Sequence, residues 1–426
     1  MSRAPDHRGG RAGRPSVVAV VRRALRRALL SLLAVQLGVI AVLTGVDAWR
    51  KRTRPQAAGF PRSEPGAVAI GASKVTTFTY GEDLFHAMLS AIRGAQRRVL
   101  FETYIWKGDA VGQEFKDELV RAAERGVEVY VIYDGFANLV VPSAFKRFPS
   151  SLHVLRYPVF PARWHFYDLR RSGRDHRKIL VVDGEVGFVG GYNVGDAYAT
   201  KWRDTHVRIE GPSVWDLENA FVDFWNLHCG EHRPMLRDIG THEWEARIRV
   251  HRNVPRLWIF PIRAMYLEAI DRAQHHIYLT QAYFIPDEEI LRGLLTAARR
   301  GVDVRILVPE VSNHVVADWL SRGFYSSLLR GGVRLMLYQS AMVHAKTATI
   351  DGQWTTIGTA NIDRLSLTGN YEINVELYDS GLAEQMQRVF ATDCSNAREL
   401  TLAEWERRHV AAKFSETVLA PLRPLL

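Results

Sequence analysis

The chain has 426 residues, more than one typical domain, and can bury a sizeable core. Its formal charge of +10 would by itself suit a nucleic-acid binder, but residues 1–54 hold twelve Arg/Lys against two Asp, and the remainder balances at 44 basic and 44 acidic residues. The catalytic part therefore lacks the basic excess of a general nucleic-acid binder, although a local patch stays open, and two cysteines (Cys229, Cys394) exclude a four-thiolate metal site.

The first element is a basic segment, residues 1–27, followed by an uncharged run of 19 residues from Ala28 to Val46. As a helix that run spans about 28 Å, close to the thickness of a bilayer core. Arg22, Arg23, Arg26 and Arg27 precede it, and Arg50 to Arg52 follow, like anchors at a membrane interface. A buried core helix and a cleaved signal peptide are the rivals, but signal peptides carry shorter apolar regions, and no convincing A-x-A site precedes Trp49. One transmembrane anchor is expected. Eight arginines before it and four basic residues after it lean toward a cytoplasmic N-terminus and an external catalytic part. Residues 47–67, rich in Pro, Gly and Arg, read as a linker that tethers the catalytic part to the anchor.

From residue 68 the chain alternates strands and helices, and it does so twice. "RVLFETYIWKGD" (Arg98–Asp109) answers "HIYLTQAYFIPD" (His276–Asp287). "RAAERGVEVYVIYD" (Arg121–Asp134) answers "TAARRGVDVRILVPE" (Thr296–Glu310), each with a helix ending near Gly126 or Gly301. A short strand comes next in each half, "LHVLRY" and "VRLMLY". The reading is two similar α/β repeats, residues 68–240 and 241–426, each with a mostly parallel sheet covered on both faces.

The strongest recurrence is "DHRKILVVDGEVGFVGGYN" (Asp175–Asn193) against "VHAKTATIDGQWTTIGTAN" (Val343–Asn361). At one shift of 168 residues His176 falls on His344, Lys178 on Lys346, Asp183 on Asp351 and Asn193 on Asn361. Farther on, Asp204 falls on Glu372, a carboxylate on a carboxylate. A solvated strand end has no reason to recur in register.

Strand residues i and i+2 share a face, so each His–Lys pair projects together and suits an anionic oxygen beside a nucleophile or proton donor. Asp183-Gly184 and Asp351-Gly352 are hairpin turn signals, which makes these aspartates turn and support residues within the motif. Glycines at 190–191 and 358 let backbone approach a ligand, and Asn193 and Asn361 can donate amide hydrogens to it. Lysine is no ligand for a divalent metal, so no metal or other cofactor is expected. What remains is nucleophilic catalysis on a phosphate ester, one histidine attacking and the other managing protons.

These paired motifs, with "YIWKGD", "GGYNVGD", "WRDTHVRIEGPSV", "YFIPD" and "NYEINVE" around them, resemble the phospholipase D superfamily, and within it the two-motif cardiolipin synthases, over residues 70–426. The resemblance implies an α-β-α sandwich from each repeat with one active site at their interface. It implies a phosphohistidine on His176, with His344 as acid and base. Lys178, Lys346, Asn193 and Asn361 would hold non-bridging oxygens, while Asp204 and Glu372, also at the substrate site, orient the imidazoles. The implied substrate is a phospholipid, phosphatidylglycerol, in the plasma (inner) membrane. A hydrolase of the same superfamily, acting on phospholipid or nucleic-acid phosphodiesters, and a non-catalytic membrane scaffold are the alternatives; both motifs are intact, which disfavours the scaffold.

Other stretches stay open at this level. "FPARWHFYDLRR" (Phe160–Arg171) suits a lipid headgroup layer or an ordinary loop. Val315, Val316, Trp319, Leu320, Phe324 and Leu328 follow helical spacing, with core preferred over membrane surface. The cysteines read as core residues. The terminal "APLRPLL" is either a docking segment or a frayed end.

Overall fold

In the computed structural model the described residues are 17–53, 59–160, 173–237 and 245–425. The chain opens with α1 (Val17–Thr53), which extends the uncharged run into its flanking arginines, since Arg is a good helix former. Among the described residues it is the one helix long and apolar enough to cross a membrane, over Val21–Trp49.

The first repeat contributes β1 (Gly66–Ile70), β2 (Ser73–Phe78), α2 (Gly81–Gly94), β3 (Arg98–Thr103), α3 (Ala110–Glu124), β4 (Glu128–Asp134) and β5 (Leu152–Tyr157). The motif hairpin β6 (Ile179–Val182) and β7 (Val186–Gly190) comes next, then α4 (Asp196–Thr200), β8 (Trp202–Arg203), β9 (His206–Glu210) and α5 (Val214–His228). The second repeat retraces this path with β10 (Ile248–Asn253), α6 (Pro261–Arg272), β11 (His276–Gln281), α7 (Glu288–Arg299), β12 (Asp303–Pro309), α8 (Val315–Arg330) and β13 (Arg334–Tyr338). Next come β14 (Met342–Val343), the hairpin β15 (Lys346–Ile350) and β16 (Trp354–Gly358), α9 (Arg364–Thr368) and β17 (Glu372–Tyr378). The chain closes with α10 (Ser380–Ser395), β18 (Ala397–Leu400), α11 (Leu402–Glu406) and α12 (Val410–Leu419).

Two eight-stranded sheets result, ordered β1-β2-β9-β7-β6-β3-β4-β5 and β10-β17-β16-β15-β11-β12-β13-β18. The expected helix boundaries hold. Asp109 and Asp287 cap α3 and α7 by accepting from amides of the first turn, and both helices stop just before a left-handed glycine, Gly126 (φ 91°) or Gly301 (φ 93°). The expectation of mostly parallel sheets is corrected. Within these two sheets only β3-β4-β5 and β11-β12-β13 run parallel, so both are mixed. The reason lies in the motif itself. Asp183 (φ 56°) with Gly184 (φ 72°), and Asp351 (φ 53°) with Gly352 (φ 66°), fold each motif strand straight back on itself, so β6-β7 and β15-β16 are antiparallel. Positive φ at both central residues marks a type I′ turn, whose twist matches that of the strands it joins.

The repeats share a core. Val189, Val207 and Phe221 of the first pack in one cluster with Ile357, Ile373 and Val375 of the second. The boundary placed at residues 240/241 falls in 238–244, outside the described residues, but β10 already belongs to the second sheet. Cys229 is buried and Cys394 partly so, both as free thiols. The stripe on α8 is half core and half contact. Leu320 and Leu328 are buried, while Val316, Trp319, Leu320 and Phe324 cluster with Val39, Ile40 and Leu43 of α1. The terminal segment is docked: Leu422 joins that cluster, and Arg423 lies 5.1 Å above the Phe324 ring. Of the aromatic-rich stretch Phe160–Arg171, all but Phe160 lies outside the described residues.

Candidate active site

Each motif histidine sits in an extended segment just before its motif strand, and the other repeat holds its backbone. His176 N donates to Tyr371 O at 3.0 Å, and His344 N donates to Arg203 O at 2.7 Å. Around these bonds β14 pairs in parallel with β8, and Asp175 bridges to Tyr371. Tyr371 and Arg203 directly precede Glu372 and Asp204. The repeats therefore exchange carboxylates: Glu372 Oε2 lies 2.9 Å from His176 Nδ1, and Asp204 Oδ2 lies 2.6 Å from His344 Nδ1. Both carboxylates contact imidazoles, as expected, and each serves the histidine of the opposite repeat.

The hydrogen bonds around Glu372 set the proton positions. Thr359 Oγ1 accepts from Ile373 N, so its own hydrogen goes to Glu372 Oε2 at 2.5 Å. That oxygen accepts again from His176 Nδ1–H, leaving the Nε2 lone pair on the opposite side of the ring. In the first repeat the matching position is Gly191, where a Cβ would lie 2.1 Å from Asp204 Oδ1. Gly against Thr is thus a space requirement: Asp204 fills the volume that a side chain at 191 would need.

Arg203 is fully buried and clamps the interface. Its guanidinium donates to both Asp393 oxygens, at 2.8 and 2.7 Å, in the fork geometry that arginine matches to a carboxylate. The lysines lie beneath the imidazoles. Lys178 Nζ donates to the carbonyl of His176 at 2.6 Å, and Lys346 Nζ donates to the carbonyl of His344 and sits 2.9 Å from His344 Nδ1.

Burial dominates the electrostatics. It pushes Lys178 down to about 8 and Lys346 to about 7, despite the nearby carboxylates. His344 falls to about 3 and His176 well below its ordinary value, through burial and then the adjacent lysines, so both imidazoles favour the neutral form. The carboxylates diverge. Burial raises Glu372 to about 8, whereas Asp204, though equally buried, is held below its usual value by His344, Lys346 and the Thr205 amide.

A cavity of about 490 Å³ opens over this group, lined by His176, His344, Asn193 and Asn361 with a largely apolar wall. Asn193 Oδ1 accepts from Ile105 N at 3.0 Å, which fixes the amide orientation, while Asn361 Oδ1 is buried without a hydrogen-bond partner among the described residues. Asp183 and Asp351 lie at the far ends of β6 and β15. Each accepts from three consecutive amides, Gln96–Arg98 or Gln274–His276, at 2.7–2.9 Å. They brace the motif, as their turns imply, and do not reach the cavity.

Sequence reasoning assigned no role to Tyr104 or Tyr283, which line the cavity. Tyr104 lies edge-on to His176 at 4.6 Å, and Tyr283 edge-on to His344 at 6.4 Å. The signal was present, since both open the recurring phrases "YIWKGD" and "YFIPD". Asn313 and His314, at the start of α8, and Trp202, which opens the quoted phrase "WRDTHVRIEGPSV", also line the cavity and were given no role.

Known proteins agree with this arrangement. Cardiolipin synthase 2 of Staphylococcus epidermidis is 34% identical over 368 residues, covering 83% of this chain and 74% of that protein. The cardiolipin synthase of Staphylococcus aureus is 33% identical over 363 residues (82% and 73%), and that of Listeria monocytogenes 30% over 371 (85% and 77%). Among solved structures, phosphatidylserine synthase of Haemophilus influenzae superimposes with a TM-score of 0.62 at 14% identity, over 84% of this chain and 93% of that one; this likeness establishes the fold. The phospholipase D-like domain of cardiolipin synthases matches residues 88–225 and again 266–394, one match per repeat. With two sheets, two motifs and one shared cavity, the chain belongs to the phospholipase D-like cardiolipin synthase family.

Proposed function

We propose that the chain is a membrane phosphatidyltransferase that joins two phosphatidylglycerols into cardiolipin and releases glycerol, anchored by α1 as a single span in the plasma (inner) membrane. The observation that carries it is the pair of histidines, each held by a carboxylate of the other repeat, facing one cavity with an apolar wall. The staphylococcal and listerial relatives, named as cardiolipin synthases, supply the substrate class.

His176 Nε2 attacks the phosphorus of the first lipid, and the bond to the glycerol oxygen breaks. His344 gives that oxygen its proton, and glycerol leaves. A hydroxyl of the second phosphatidylglycerol then loses its proton to His344 and attacks, and the phosphorus–nitrogen bond breaks to release cardiolipin. The divergence of the carboxylates supports this order. An ionised Asp204 favours an imidazolium at His344 once an anionic phosphodiester arrives beside it, as an acid requires. Glu372, raised to about 8, leaves His176 neutral and nucleophilic. The two lysines and the side-chain amides of Asn193 and Asn361 supply positive potential where oxygen charge develops. No nucleic-acid substrate is proposed.

Expression in a host without cardiolipin tests the reading. Cardiolipin with free glycerol as co-product is expected. Accumulation of phosphatidic acid alone, with loss of phosphatidylglycerol, replaces the synthase with a hydrolase.

A further inference from the structure

We propose that the mouth of the active-site cavity is seated within one leaflet of the bilayer, so that α1 is a built-in part of a membrane-docking face and not a loose tether. The proposal rests on the membrane phosphatidyltransferase reading for its substrate, though its geometry is independent of it. The first observation is that α1 lies against the catalytic body. Gln36, Val39, Ile40 and Leu43 form one helical stripe, and its three apolar members cluster with Leu320 of α8 and Leu419 of α12. Gln36 is buried and its amide donates to Val418 O at 3.1 Å, which gives its polar group a partner away from water. The rest of that stretch, including Leu33, Leu37 and Val42, stays exposed on the other sides of the helix. An exposed leucine surface on a helix of this length calls for lipid.

The second observation is the level of this contact along the span. From Val46, the end of the uncharged run, back to Gln36 is about 15 Å of helix, roughly half the thickness of a bilayer core. Helices packed beside that half of α1 share its depth, so α8 and α12 lie level with a single leaflet. The first turn of α8 also lines the cavity through Val316 and Ala317. The same turn of α8 thus belongs to the cluster on the membrane span and to the wall of the active site.

The third observation is a set of exposed apolar side chains, beginning at the cavity wall. Phe136, which lines the cavity, leads into Leu139 and Val140, and Val140 is 83% exposed. The turn after β10 exposes Leu257, Trp258 and Ile259, and α12 exposes Val410 and Phe414 one helical turn apart. These patches are linked by contact. Arg174 stacks on Phe136, and its amide donates to Asn370 beside α9. Asn253, ahead of the exposed turn, bonds the Ser366 carbonyl of α9, and α9 touches the terminal segment that packs on α8 and α12. Exposed apolar side chains in this number call for a cover. The packing of α8 and α12 on α1, whose other sides expose Leu33, Leu37 and Val42, identifies the occupant as the bilayer. Arg174, Arg256 and Lys413 lie where they meet anionic headgroups, and substrate lipids enter sideways from the leaflet.

The test uses the full chain in vesicles of equal parts phosphatidylcholine and phosphatidylglycerol, with Cys229→Ala and Cys394→Ala as background. Nitroxides are placed singly at Val140→Cys, Trp258→Cys and Phe414→Cys, with Glu185→Cys, an exposed site beyond the far end of β6, as control. The three mouth labels are expected to be open to oxygen and shielded from a water-soluble nickel chelate, and the control the reverse. Mouth labels as open to the chelate as the control overturn the proposal. A second measurement covers any labelled variant that misfolds. Val140→Ser and Trp258→Ser, both on exposed loops, should raise the apparent KM on vesicles about tenfold, with kcat unchanged on a monomeric short-chain lipid. An unchanged KM on vesicles also overturns it. Shielded labels without turnover of phosphatidylglycerol leave the docking face standing and remove the synthase. Turnover with unshielded labels does the opposite.

Discussion

His176 Nδ1 lies 2.9 Å from Glu372 Oε2 across 196 residues of sequence, and His344 meets Asp204 across 140. Each repeat therefore supplies the histidine of one pair and the carboxylate of the other. Neither repeat alone contains a complete pair.

The exchange predicts which step each carboxylate serves. With a p-nitrophenyl phosphodiester, whose leaving group needs no proton, Glu372→Gln should slow the burst of phosphoenzyme, because it disturbs the tautomer of His176. Asp204→Asn should leave the burst rate near normal and slow later turnover, by about 10²–10⁴-fold if acid–base help is lost outright. Rapid-quench kinetics separate the two. A slowed burst in Asp204→Asn with a normal one in Glu372→Gln would make His344 the nucleophile and His176 the acid.

The histidines themselves should part more sharply. His344→Ala keeps the nucleophile and should give a stoichiometric burst followed by a stall, since activation of the acceptor is also lost. His176→Ala should give neither burst nor labelled protein. Reversal of this pattern exchanges the two roles. Absence of an acid-labile phosphoenzyme in the wild type would remove the covalent intermediate altogether.

The depressed lysines predict a proton-linked anion site. Lys346, lowered to about 7, and Lys178, to about 8, should be partly neutral near pH 8 before an anion binds. A bound phosphate favours the ammonium form, so binding should draw protons from solution. Raising the pH through this range removes the ammonium charges, so affinity should weaken, by up to about tenfold per pH unit for each lysine. Calorimetry of phosphate or vanadate binding in two buffers of different ionisation enthalpy measures the uptake. Identical heats in both would show that the lysines are already fully charged.

Deleting residues 1–54 removes the membrane span and no proposed catalytic residue. Membrane retention should weaken, and activity should persist on detergent-dispersed lipid. The packing of α1 adds a cost to the body that remains. Leu320 and Leu419 are buried beneath it, and exposing each costs about 1.5–3 kcal/mol if the surface does not close over them. The truncated protein should melt several degrees lower in the same detergent. An unchanged melting temperature would mean that α1 does not pack on the body in solution.

Much of this protein is written in contiguous residues. The 168-residue recurrence, the Asp–Gly turns with their positive φ and the uncharged run of α1 each depend on neighbours in the chain, and local geometry sets them. The motif histidines were legible for the same reason, because a strand with period two projects His and Lys together. Tertiary packing decided the rest. Which carboxylate faces which imidazole depends on how two homologous sheets meet, and the in-register alignment gives Asp204 and Glu372 no preference between histidines. Only the bonds of His176 N to Tyr371 and His344 N to Arg203 resolve it. The mixed sheets arise because the hairpins reverse direction inside a strand–helix alternation that by itself favours parallel strands. The docking of α1 on α8 has the same origin. An apolar stripe at helical spacing has one signature whether a core, a second helix or lipid covers it, and its partners here lie almost 300 residues away.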